Sequence, residues 1–154
     1  MTTTAVRTNH TLYDEDLAAW VDRDVGHLKS GRLDRLDVQH LIEELEGMAG
    51  NLRRELKNRL RILLAHLLKW QFQPRRRSRS WAGTIVEQRD QIAALLEESP
   101  SLQGYLEEAT LSAYPRAARL AAIETGLPRS TFPAQLPYDL SHILGDETEP
   151  EEAD

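Results

Sequence analysis

The chain of 154 residues carries 19 Lys and Arg, 25 Asp and Glu and no cysteine, for a net charge of −6. Its length suits one domain that buries about two-thirds of its unfolded surface, and 40% apolar with 29% charged residues excludes a chain disordered throughout. Lack of cysteine excludes a disulfide framework, a thiolate metal site and a cysteine nucleophile and fits a reducing, cytoplasmic setting.

The opening MTTTAVRTNH has no apolar core and reads as no signal peptide. Residues 1–11 are expected to be disordered. A first helix is predicted from about Tyr13 to Lys29, with Leu17, Trp20, Asp24 and Leu28 at spacings of three and four and Val21 and Val25 beside them. Gly31 fits its stop.

The strongest pattern follows. Val38, Leu41, Leu45, Met48, Leu52, Leu56, Leu60, Leu63, Leu67 and Trp70 recur every three or four residues. The stripe predicts a helix of about 50 Å, with Asp37 as N-cap. Gly47 and Gly50 each weaken it by about 1 kcal/mol relative to Ala. A kink or short break is expected there, with two helices and a turn as the alternative. The segment LRILLAHLLKW is apolar on more than one stripe and should lie at the centre of the fold. Its longest apolar run is far short of the roughly 20 residues that cross a bilayer, so no membrane association is expected.

Pro74 ends this helix. A third begins near Ser78 or Ser80 and aligns Trp81, Ile85, Gln88, Ile92 and Leu95 or Leu96. Ser99-Pro100 reads as the cap and first residue of a fourth, which carries Leu102, Leu106 and Ala109 and must kink or restart at Pro115. An Ala-rich helix then closes at Gly126, and a short one capped by Asp139 follows. Residues 146–154 are acidic and expected to be disordered. The predicted fold is all-α: a single helical bundle of four to six helices, residues 12–145, around one long central helix.

Charge is segregated along this scheme. From Gly47 to Val86 there are ten basic residues and one acid, a balance of +9 that leaves −15 on the rest of the chain. Such asymmetry points to an electrostatic partner within or outside the molecule.

The phrases YDEDLAAWV, LDVQHLIEELEGM, LLAHLLKWQFQPRRRSRSW and SLQGYLEEA, together with the turn signals of ETGLP, TFP and PY, occur in this order between Tyr13 and Leu144. In this set the chain resembles the bacterial family catalogued as domain of unknown function 29. The resemblance implies a small all-helical protein and brings no activity, cofactor or catalytic residue. Pro115 departs from the family's AY-x-x-A-R pattern, which puts the straightness of the fourth helix in question.

Three functional readings are open. Glu43, Glu44, Glu46, Glu87 and Asp90 loosely resemble the paired carboxylates of magnesium-dependent helical nucleotide hydrolases. At about 100° per residue, however, Glu43, Glu44, Glu87 and Asp90 point away from the apolar faces, and only Glu46 borders one. His66 lies in the most apolar segment and is expected to be partly buried, hydrogen-bonded and stacked near Trp70; a general base is the sharper reading. His40 is expected to be exposed. No P-loop, G-x-G-x-x-G or G-x-S-x-G is present.

The remaining feature is Arg75, Arg76, Arg77 and Arg79, four cations at the start of the third helix, where the dipole disfavours each by a few tenths of a kcal/mol. They need a counter-charge. The chain's own carboxylates (Glu43, Glu44, Glu46, Glu97, Glu98, Glu107, Glu108 or the acidic tail) are the first expectation. A phosphate or an acidic protein is the next. The leading functional reading is a non-enzymatic interaction module without a cofactor, self-associating or taking an acidic protein partner. Its anion- or partner-binding residues are Arg75, Arg76, Arg77, Arg79, Trp81 and His66. The alternative is nucleic-acid binding by the same arginines with Arg53, Arg54, Lys57 and Arg61, and with Phe72 and Trp81 stacking on bases.

Overall fold

A computed structural model describes residues 11–145, in which six α-helices and four short 3-10 turns account for the regular structure and no strand occurs. The segments expected to be disordered, residues 1–11 and 146–154, lie outside the described residues except for Thr11, which is the N-cap of the first helix. The helices are α1 (Leu12–Glu15), α2 (Leu17–Lys29), α3 (Val38–Phe72), α4 (Arg79–Glu98), α5 (Leu106–Thr125) and α6 (Leu140–Leu144). The fold is all-α around one long helix. Two compact units divide the chain, Met1–Met48 and Ala49–Asp154.

In the first unit, the expected first helix is split at Asp16. This residue leaves the helical region (φ −152°, ψ 90°), and its carboxylate accepts the Ala19 N–H to start α2. Thr11 and Asp14 form a reciprocal capping box on α1. At the other end Gly31 takes φ +72°. Arg32 N–H then bonds the His27 carbonyl and Gly31 N–H that of Leu28, the double closure of a Schellman turn.

Trp20 and Asp24 are the buried residues of α2. The Asp24 carboxylate accepts the Asp37 N–H at 3.0 Å, and the Asp37 carboxylate accepts the Trp20 indole N–H at 3.0 Å. Asp37 also holds the His40 ring at 2.6 Å, and the Tyr13 ring stacks on His40 at 4.0 Å. His40 is thus half-buried, which corrects the expectation of exposure: a helix-wheel position opposite the stripe is covered by α1. The His40 ring draws Asp37 below the ordinary carboxylate value against the opposing effect of burial, and Asp37 raises His40. The Tyr13 hydroxyl donates to Glu44 at 2.6 Å, and this bond chiefly pushes its pKa up to about 12.

The long helix α3 is unbroken from Val38 to Phe72, so no break occurs at Gly47–Gly50. Two glycines at about 1 kcal/mol each do not interrupt a helix that its neighbours extend on both sides.

In the second unit, Leu56, Leu60, Leu63, Leu64 and Leu68 of α3 are fully buried, with Ile85 and Ile92 of α4, Leu106, Ala109, Ala113 and Ala117 of α5, Phe132 and Ile143 around them. The alanines give α5 a small-residue face within this cluster. Pro115 lies inside α5 without ending it. It sits on the exposed face, one turn after the exposed Leu111, so the carbonyl that loses its donor stays open to water. The restart sits instead before α5, where Pro100–Tyr105 winds as a 3-10 turn and Ser99 makes no side-chain cap. Gly126 closes α5 at φ +73° as expected. Asp139 caps α6 by accepting the His142 N–H at 2.8 Å. Gly145 closes α6 at φ +87°, and Arg89 of α4 donates to the Ile143 and His142 carbonyls there, each at 2.9 Å. A Cβ at Gly145 would lie 3.1 Å from Arg89, so a glycine serves both the left-handed turn and the close approach.

Candidate functional site

The C-terminal end of α3, the turn after it and the start of α4 carry all six residues singled out in the sequence. Gln73 N–H bonds the Lys69 carbonyl at 2.9 Å as the last α-helical closure. Pro74 then opens a 3-10 turn to Arg76, and Ser78 starts α4 by accepting the Trp81 N–H at 3.2 Å.

This turn is both the positive end of α4 and the negative end of α3. Arg77 uses the second fact. Its Nε donates to the Trp70 carbonyl at 2.9 Å, satisfying an orphan acceptor of α3, and its guanidinium lies 4.9 Å over the Trp70 ring. The cost expected from the α4 dipole is offset here by α3's C-terminus. Trp70 therefore carries Arg77, and His66 does not stack on it as the sequence suggested.

Arg75, Arg76 and Arg79 are exposed. The ion pairs among the described residues join Arg23 to Asp24, His40 to Asp37, Arg59 to Glu55 and Lys69 to Glu124. None involves the cluster. The described carboxylates expected to neutralise it, Glu43, Glu44, Glu46, Glu97, Glu98, Glu107 and Glu108, do not pair with it. The acidic residues from 146 onward lie outside the described residues. Three like charges within five positions are thus exposed without an ion-pair partner among the described residues.

Beside Arg77 lies a cleft of about 440 Å³ walled by Trp70 and Gln71 of α3, Tyr138 and His142. The Tyr138 hydroxyl donates to Gln71 Oε1 at 2.6 Å, and its ring stacks on His142 at 4.9 Å. Burial raises the Tyr138 phenol above its ordinary value, so it stays a neutral donor. The cleft therefore offers hydrogen-bonding groups and one cation next to the exposed arginines.

On another side of α3's last turns, sequence reasoning missed Lys69. It is only 5% exposed, yet its ammonium sits 2.7 Å from Glu124 of α5 and 4.6 Å over the Trp81 ring. Trp81 thus lies over this cation. Phe72 packs edge-on against the buried Phe132 at 5.5 Å. Both rings expected to stack on bases are thus engaged within the fold. The signal for Lys69 is its place in an apolar run; its partner lies 55 residues away, beyond any local pattern.

His66 is half-buried, with Nδ1 2.9 Å from the Ile62 carbonyl one turn earlier. A carbonyl accepts only, so Nδ1 carries the proton and Nε2 is the acceptor. Burial is the main cause that lowers its pKa, aided by Lys69 and opposed by Ile62 and Glu124. At neutral pH it is uncharged and supplies no anion contact, which separates it from the arginines.

Glu43, Glu46, Glu87 and Asp90 are all exposed, and Glu44 is taken by Tyr13. Among the described residues, no group of three His, Cys, Asp or Glu could hold a metal ion, so the hydrolase reading has no geometric support. None of the described helices is long and apolar enough to cross a membrane.

A family model described as "Domain of unknown function DUF29" matches residues 12–148. No curated protein and no solved structure matches the chain.

Proposed function

The chain belongs to the DUF29 family, and we propose that it is a non-enzymatic interaction module that receives an acidic protein segment at the end of α3. The observation that carries this reading is the set of exposed Arg75, Arg76 and Arg79 without a described counter-charge, beside the Arg77–Tyr138 cleft. Arg77 holds the turn in place through Trp70, so the other three guanidinium groups project from a braced support. Planar forks suit carboxylates in pairs. The contacts that Phe72 and Trp81 make within the fold favour a protein segment over single-stranded nucleic acid, which needs aromatic faces for stacking.

The test titrates a labelled Glu-rich peptide and a single-stranded RNA of equal charge into the wild type and into R75A/R76A/R79A. The expected result is peptide binding that weakens with salt and falls at least about tenfold in the variant, roughly 1.4 kcal/mol. Preferential RNA binding would replace this reading with the nucleic-acid one. Binding of neither probe at low salt rejects both.

A further inference from the structure

The first unit leaves its apolar side chains uncovered. Leu17, Val21, Val25, Leu28, Leu33, Val38, Ile42, Leu45 and Met48 are between 39% and 63% exposed. Among its described apolar residues only Trp20 is buried, and it is not part of the hydrophobic core around α3's second half. On α2 the inward side is the polar-bonded Trp20 and Asp24. The stripe Leu17, Val21, Val25 and Leu28 faces outward. Nine large apolar side chains exposed within one short unit exceed the single scattered surface apolars that need no explanation.

We infer that this face docks a second copy of the chain, with α2 packed antiparallel to α2 of the other copy. The α2 stripe is nearly symmetric about Arg23: Val21 and Val25 flank it at two residues, and Leu17 and Leu28 at six and five. A two-fold axis there sets Val21 against Val25 of the second copy and Leu17 against its Leu28, as a self-complementary interface requires. Charge follows the same symmetry. Glu15 and Asp16 precede the stripe, and Lys29 and Arg32 follow it. Antiparallel packing brings each acidic start beside a basic end and opposes the helix dipoles favourably. Val38, Ile42, Leu45 and Met48 of α3 add further exposed apolar side chains in the same unit. A lipid surface is a poor occupant, because Glu15, Asp16 and Asp22 lie beside the α2 stripe in sequence and Glu46 borders that of α3, and these acids repel anionic headgroups.

Light scattering on the full chain across a concentration series tests this. The wild type should have dimer mass, and V21D/V25D should weaken the dimer at least about 100-fold with unchanged circular dichroism, since both positions are exposed. A cross-link gives the geometry. The chain has no cysteine, so mixing V21C and V25C chains should yield mixed disulfide dimers in excess over either self-pair. R75A/R76A/R79A should leave the dimer intact, which separates this interface from the arginine edge. A wild type that stays monomeric at several hundred micromolar overturns the inference. So does a dimer untouched by V21D/V25D, or a preference for self-pairs. A monomer whose α2 face is protected from hydrogen exchange overturns it too, because the chain then covers that face itself.

Discussion

Removing Glu124 should cost far more than removing its partner. Glu124→Ala strands the Lys69 ammonium, whose side chain is 6% exposed, while Lys69→Met leaves a carboxylate that is 38% exposed and can hydrate. Breaking a buried pair from one side costs about 3–5 kcal/mol. Partial exposure of Glu124 and the remaining Trp81 face reduce this to about 2–3 kcal/mol for Glu124→Ala. At about 2–4 °C per kcal/mol for a chain of this size, the melting temperature should fall by about 4–12 °C. Lys69→Met keeps the volume and places a thioether against Trp81, so its cost should stay within about 1 kcal/mol. Urea unfolding of both variants and the double variant, followed by tryptophan fluorescence, measures the difference. If Glu124→Ala changes stability by less than about 0.5 kcal/mol, or Lys69→Met proves the costlier change, the ammonium is not desolvated as described and the reasoning fails.

Other consequences are as direct. Leu64→Ala, at a fully buried site of α3, should destabilise by about 2–5 kcal/mol in urea unfolding. Pro115→Ala should stabilise α5 by about 1–3 kcal/mol, since it restores an N–H donor on an exposed face; a loss of stability would show that the proline fits a helix bent around the core. His40 and His66 should titrate on opposite sides of 6.5 in one NMR series, His40 above and His66 below. Linkage then gives opposite signs. The His40–Asp37 contribution is complete below pH 6.5 and is lost as pH rises through the raised value. That of His66 is complete above pH 6.5 and is lost as pH falls through the lowered one. His40→Gln and His66→Gln should each remove one of these slopes from the stability profile, and an unchanged profile in either would contradict the assigned contacts.

Much of the helical scheme is legible in the sequence because its signals are local. Ser78, Asp139, Gly126 and Pro74 act within one turn of themselves, so each boundary they set is written in adjacent residues. The same locality explains where the pattern misleads. Asp16 reads as part of a helix because the apolar period continues across it, and its capping bond to Ala19 competes with that period. Gly47 and Gly50 read as a break because propensity counts single residues, whereas flanking turns carry a helix through.

The sequence by itself determined the all-α class, the family, the leucine-rich half of α3 as the core and the basic turn after it. Periodicity and turn chemistry need no distant partner. Only the tertiary structure decided that the first part of the stripe is not buried: Val38, Leu45 and Met48 share the spacing of Leu56 to Leu67 yet stay exposed. It also decided that Lys69 is buried on Glu124 and Trp81, that Arg77 closes α3, and that Arg75, Arg76 and Arg79 have no described counter-charge. Burial and charge pairing depend on residues tens of positions away, and a one-dimensional pattern shows a residue's face but not what comes to lie against it.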